Sequence, residues 1–63
     1  MNVGENIKRI RLQCDMTQTK LAELSGVDQS MICQIERGTK IPTILLAKSI
    51  ADVMNCSILE FLA

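Results

Sequence analysis

The side chains that could do chemistry in this 63-residue chain are amides, hydroxyls and cations concentrated between residues 17 and 40. At about 100° per residue, one face of a predicted helix collects four of them and one thiol: Gln29, Ser30, Gln34 and Arg37, with Cys33. An amide can pair bidentately with adenine, and a hydroxyl can donate to or accept from several bases. The face therefore suits base edges in a DNA major groove, although on an isolated helix an ordinary solvated surface would be the better interpretation.

Two short helices joined by a tight turn must position these side chains. Thr17 can cap the first helix with its hydroxyl, and Gly26 can end it in a left-handed conformation. Asp28 then caps the second helix, which covers about residues 29–37. This order of helix, short turn and helix is a helix-turn-helix. The small side chain of Ala22 lets the two helices approach closely.

Three further helical segments complete the prediction of an all-α, compact five-helix domain, with the helix-turn-helix at helices 2 and 3. Asn2 marks the start of the first helix and Thr43 the start of the fourth. A capping-box pattern from Ser57 to Glu60 opens the last segment. The length allows one domain, residues 1–63.

Composition restricts the function. The chain has no histidine, no visible pairing of a cysteine with a base and no glycine-rich phosphate loop, which argues against an enzyme. Three widely spaced cysteines do not form a zinc pattern, so we expect reduced thiols, a cytoplasmic location, and neither metal nor cofactor. No apolar run approaches the roughly 18 residues of a membrane span, and no charged-then-apolar leader is present.

Charge is the least typical feature for a protein that would bind DNA. Seven basic and seven acidic residues cancel, whereas nucleic-acid-binding domains often have a clear basic excess. Phosphate attraction should therefore provide a limited part of any affinity for DNA.

In order and spacing, these residues resemble the DNA-binding domain of phage repressors, the Cro and lambda-repressor-like family. The resemblance covers nearly the whole chain through these matching segments: Val3-Gly4-Glu5-Asn6-Ile7-Lys8, Thr17-Gln18, Leu21-Ala22, Ile35-Glu36-Arg37-Gly38, Pro42 and Ile50-Ala51. The chain departs from the family pattern at Ser25, where an apolar residue is usual, and at Arg37, where asparagine is frequent. Asp15 and Asn55 occupy positions that are often glycine.

The resemblance implies a role for each position of the helix-turn-helix. It implies base contacts by these residues: Gln29, Ser30, Gln34 and, on the same face but with a weak donor, Cys33. It implies contacts to the DNA backbone by these: Thr17, Gln18, Arg37 and Lys40. It also implies a partly buried structural ion pair between Arg11 and Glu36.

Two functions from different classes follow. The first is sequence-specific double-stranded DNA binding by a small transcriptional repressor or regulator, acting as a homodimer through helix 4 and the C-terminal residues. The alternative is an antitoxin-like or other protein-interaction module, favoured by neutral charge and by leucines off the predicted buried stripes, namely Leu45, Leu46 and Leu59. Neither function requires a small-molecule ligand.

Overall fold

The computed structural model describes residues 2–63 and is all-helical over that range. Its α-helices are α1 (Val3–Gln13), α2 (Gln18–Ser25), α3 (Gln29–Arg37) and α4 (Ile44–Val53). A short 3-10 helix, Ile58–Leu62, follows α4. The predicted all-α fold with five helical segments is confirmed, and its last segment is a 3-10 helix.

Side-chain caps determine where the helices begin. Asn2, Thr17, Asp28 and Thr43 each accept the backbone N–H three residues ahead, at 3.0–3.3 Å. Each cap satisfies a backbone donor that has no partner inside the helix. Ser57 differs, because its hydroxyl accepts from Leu59 at 3.1 Å, two residues ahead.

The core lies between the helices and is almost entirely aliphatic. Its largest fully buried side chains are Ile7, Leu21, Ile32, Ile35, Ile50 and Phe61. Leu46, expected off the buried stripe of α4, instead packs half-buried against this core. No helix within residues 2–63 is both long and apolar enough to cross a membrane.

The three cysteines are free thiols that differ in exposure. Cys14 is exposed, whereas Cys33 and Cys56 are half-buried. Burial raises the pKa of the Cys56 thiol, and the nearby Glu60 and Cys14 raise it further. The Cys56 thiol is therefore protonated and weakly nucleophilic near neutral pH.

A close approach of α1 to α3 depends on Gly4. Gly4 is buried in the first turn of α1, and a Cβ placed on it would overlap the backbone carbonyl oxygen of Ile35 in α3. Backbone atoms cannot move aside as a flexible side chain can. Glycine is therefore required at this position by packing, and not by an unusual backbone conformation.

An ion pair ties the same two helices together further along α1. Arg11 Nε donates to Glu36 Oε2 at 2.7 Å, and Arg11 Nη2 donates to Glu36 Oε1 at 3.0 Å. The side chains of Arg11 and Glu36 are 7% and 2% exposed. Arg11 Nη1 also donates to the carbonyl of Met16 at 2.7 Å, which anchors the loop between α1 and α2.

We predict that Gly4→Ala destabilises the fold by about 3 kcal/mol or more, because overpacking against backbone cannot relax easily. Helix propensity alone predicts the opposite sign, a gain of about 1 kcal/mol. Gly26→Ala is the control: Gly26 has φ 77° and open space around it, so alanine there should cost only the left-handed strain of about 1–2 kcal/mol. Urea unfolding of both variants measures the difference, and a Gly4→Ala variant as stable as the parent would contradict it.

We predict strong coupling between Arg11 and Glu36. Removing either partner should cost about 3–5 kcal/mol, because the other charge is left buried without compensation. The double variant Arg11→Met/Glu36→Leu should be much more stable than the sum of the single costs implies. A double-mutant cycle in urea that gave no coupling energy would disprove the linkage.

Candidate nucleic-acid interface

The exposed surface of α3 carries the polar face predicted from the sequence. Gln29, Ser30, Gln34 and Arg37 are exposed and Cys33 is half-buried, so the predicted set lies together on one side of the helix. The opposite side, with Ile32 and Ile35, is buried in the core. Amide, hydroxyl and guanidinium groups are thus presented to solvent from a helix whose opposite side is packed in the core.

The turn between α2 and α3 fixes the angle at which α3 is presented. Gly26 ends α2 with φ 77°, a left-handed conformation that glycine adopts without steric cost. The N–H of Val27 then donates to the carbonyl of Ala22 at 3.0 Å, which closes the turn. Ala22 itself is buried where the two helices pack, as its small size predicted.

The N-terminus of α2 lies beside the N-terminus of α3. Gln29 Nε2 donates to Gln18 Oε1 at 2.7 Å, which joins the first residues of the two helices through their side chains. Thr17 caps α2 by accepting from Lys20, so its hydroxyl proton is free to be donated elsewhere. The helix dipole and unpaired N–H groups at such a terminus favour an anion.

Two cations lie at the other end of α3. Arg37 is in its last turn and Lys40 is in the loop that follows, and both are exposed. The loop folds back on α3, because the N–H groups of Thr39 and Lys40 donate to the carbonyl of Gln34 at 3.0 and 3.3 Å. Cationic side chains are therefore available at one end of the polar face and an anion-favouring helix terminus at the other.

One interaction at this surface was not predicted from the sequence. Gln18 Nε2 donates to Glu36 Oε1 at 2.9 Å, so Glu36 binds Gln18 as well as Arg11. Hydrogen bonds consequently run without a break from the buried Arg11, through Glu36 and Gln18, to the exposed Gln29. The spacing of Gln18 and Glu36 along the chain gives no local signal for this contact.

Known proteins are similar to this chain in sequence and in fold. The helix-turn-helix family model matches residues 7–61. An uncharacterized helix-turn-helix-type transcriptional regulator from Sinorhizobium fredii is 31% identical over 58 residues, which are 92% of this chain and 75% of that protein. The immunity repressor protein of Bacillus phage phi105 is also 31% identical over 58 residues, again 92% of this chain, but the chain spans only 40% of the repressor.

A solved structure extends the comparison to three dimensions. The master regulator of biofilm formation SinR, solved in complex with DNA, superposes with a TM-score of 0.91 at 29% identity, over 97% of this chain and 98% of that one. The resemblance to phage repressors is confirmed by the family match and by the phage relative. The chain belongs to the helix-turn-helix family.

Proposed function

We propose that the chain is a double-stranded DNA-binding module that regulates transcription, with α3 inserted in the major groove. The observation that carries this proposal is the exposed polar face of α3, which begins at Gln29 where Gln18 holds the amide at 2.7 Å. Relatives that are transcriptional regulators, one of them solved with DNA, support the same function. A regulator of this kind is not an enzyme, and it acts in the cytoplasm with the DNA.

Base edges are read by Gln29, Ser30, Gln34 and, more weakly, Cys33. Gln29 is at the end of α3 that enters the groove first, and its amide matches the acceptor and donor of adenine. Ser30 Oγ donates to Asp28 Oδ1 at 3.3 Å, which leaves its lone pairs free to accept from a base. Cys33 is half-buried and has only a weak S–H donor, so it contributes mainly shape.

The DNA backbone is held at both ends of this face. Thr17 and Gln18 offer a hydroxyl proton and an amide N–H at the N-terminus of α2, where a phosphate is favoured. Arg37 and Lys40 supply positive charge beyond the other end of α3. With seven cations balanced by seven anions, these contacts position the protein more than they attract it from a distance.

Repression is the form of regulation that the similarity to a phage immunity repressor favours. Residues 1–63 act as a single domain in this proposal, since one core includes side chains from every helix. A compact module bound at a promoter can regulate by occupying the site that the transcription machinery needs.

A homodimer through α4 and the C-terminal residues provides the second reading helix. Large apolar side chains are exposed on this side, with Leu45 84% and Leu59 68% exposed. Their sequence neighbours Ile44 and Ile58 belong to an apolar cleft of about 330 Å³ lined by Val3, Ile41, Pro42, Ile44, Ala47, Ile58, Phe61 and Leu62. A two-fold dimer would place the α3 helices about 34 Å apart, one turn of the duplex. An unrelated protein on the same surface is the antitoxin-like alternative.

We predict that Gln29→Ala and Lys40→Ala affect DNA binding differently. A preferred duplex is first obtained by selection from a random pool. Truncating Gln29 should cost about 1–3 kcal/mol on that duplex and relax discrimination at one base pair. Truncating Lys40 should weaken binding to all sequences alike. It should also reduce the slope of log K against log salt concentration by about one, because one fewer counterion is released.

Titration of the preferred and a scrambled duplex at two salt concentrations separates these effects. Glu23→Ala serves as a control for an exposed substitution, since Glu23 is outside the proposed contact residues and its ion pair with Lys20, at 3.9 Å, is between exposed side chains. Equal loss of affinity for both duplexes by the Gln29 variant would show that Gln29 does not read bases.

We predict that Leu45→Glu weakens self-association at least about tenfold, because the dimer would bury an unpaired charge. Leu24→Glu is the matched control, an exposed leucine on α2 outside the proposed dimer surface. Sedimentation equilibrium, with and without the preferred duplex, measures both variants. A parent protein that stays monomeric at high concentration and binds one copy per duplex would rule out the dimer, and a stable complex with an unrelated protein would favour the alternative.

A further inference from the structure

We propose that Glu36, acting through Gln18, fixes the direction in which the Gln29 amide presents its donor and acceptor to DNA. Glu36 is then a positioning residue for specificity, in addition to its part in the ion pair with Arg11. The inference rests on the proposed function, since it concerns how the reading residue distinguishes a base pair from its reversed form.

Glu36 determines which end of the Gln18 amide faces its carboxylate. Its Oε2 accepts from Arg11 Nε at 2.7 Å, while its Oε1 accepts from Arg11 Nη2 at 3.0 Å and from Gln18 Nε2 at 2.9 Å. A carboxylate paired with a permanently charged guanidinium only accepts hydrogen bonds. Gln18 must therefore turn its NH₂ group, and not its carbonyl, toward Glu36.

The constraint passes from Gln18 to Gln29. With its NH₂ group held by Glu36, Gln18 turns its carbonyl oxygen outward, and that oxygen accepts from Gln29 Nε2 at 2.7 Å. A reversed Gln29 amide would place two carbonyl oxygens against each other and lose this bond. Gln29 therefore has its NH₂ group on the Gln18 side and its carbonyl oxygen on the far side.

The remaining N–H and the carbonyl oxygen of Gln29 match the acceptor and donor of adenine in only one orientation of the base pair. One N–H and the carbonyl oxygen of Gln29 have no partner within residues 2–63, and adenine offers N7 as acceptor beside N6 as donor. With the amide direction fixed, N7 must lie on the Gln18 side. Adenine in the opposite strand presents the two groups in reverse order, so the arrangement favours A·T over T·A at this position.

The link through Gln18 is separable from the fold. Glu36 keeps both bonds to Arg11 when Gln18 is changed, and Arg11 keeps its bond to the carbonyl of Met16. Gln18→Met preserves side-chain length and helix propensity while removing both amide contacts. Gln18 is half-buried, so this variant should unfold at a urea concentration only slightly below that of the parent, by the effect of one lost hydrogen bond.

The test compares two duplexes that differ only by exchange of A·T for T·A at the base pair where Gln29→Ala relaxes discrimination. The parent should prefer one duplex, and Gln18→Met should reduce that preference about tenfold, the contribution expected of one hydrogen bond. Lys40→Met is the control, because loss of a phosphate contact should weaken both duplexes equally and leave their ratio unchanged.

Glu36→Gln tests the origin of the direction. A neutral amide can present either end to Gln18, so a folded Glu36→Gln variant should lose the A·T preference as Gln18→Met does, although Gln18 itself is intact. If Glu36→Gln is unfolded by circular dichroism, the Gln18→Met ratio decides. A parent-like ratio in Gln18→Met, or in folded Glu36→Gln, would overturn the inference.

The Gln29→Ala and Gln18→Met variants distinguish failure of the proposed function from failure of this inference alone. If Gln29→Ala changes discrimination at no base pair, Gln29 is not a reader, and the function assigned to α3 falls together with this inference. If Gln29→Ala relaxes discrimination and Gln18→Met does not, only the inference about Glu36 and Gln18 is wrong.

Discussion

The buried ion pair between Arg11 and Glu36 is the interaction on which the rest of the structure depends. Removing two charges from water costs several kcal/mol each, which is offset only where geometry is good and hydrogen bonds satisfy the groups. Here Arg11 binds both carboxylate oxygens and the carbonyl of Met16. These bonds fix α1, the loop after it and α3 in one arrangement. Gly4 contributes at the same contact, because α1 can approach α3 only where no Cβ intervenes.

The same pair connects stability with the proposed recognition surface. A domain of this size buries only about 60% of its unfolded surface, so few interactions are available to define one native state. Glu36 is one of two charged residues buried within residues 2–63, and its Oε1 also binds Gln18. One carboxylate therefore stabilises the packing of the helices and holds the side chain that contacts Gln29. A change at Glu36 should therefore affect both the stability and the proposed recognition surface, whereas a change at Gln18 leaves the ion pair with Arg11 in place.

Local signals allowed most of the fold to be predicted, and tertiary contacts account for what was missed. Helix starts were predictable because a cap acts on an N–H only three residues ahead. Family resemblance gave the Arg11–Glu36 pair, whereas the Gln18–Glu36 bond and the overlap at Gly4 depend on how helices cross. Ser25 was recognised as unusual, but only the structure shows its Oγ buried without a partner within residues 2–63. The predicted base contacts would form only in a complex with DNA, so they stay predictions.

Neutral charge makes this preorganisation matter more for the proposed function. A strongly basic domain gains affinity from any duplex by releasing counterions, and its specificity competes with that background. In this chain cations and anions are equal in number, so sequence-independent attraction is small. Direct contacts must then supply a larger share of the binding free energy, and each side chain ordered on binding reduces it. Gln29 is already held by Gln18, and Gln18 by Glu36, before any DNA is present. A module that DNA attracts only weakly can in this way favour one sequence, because its reading residue loses little conformational entropy on binding.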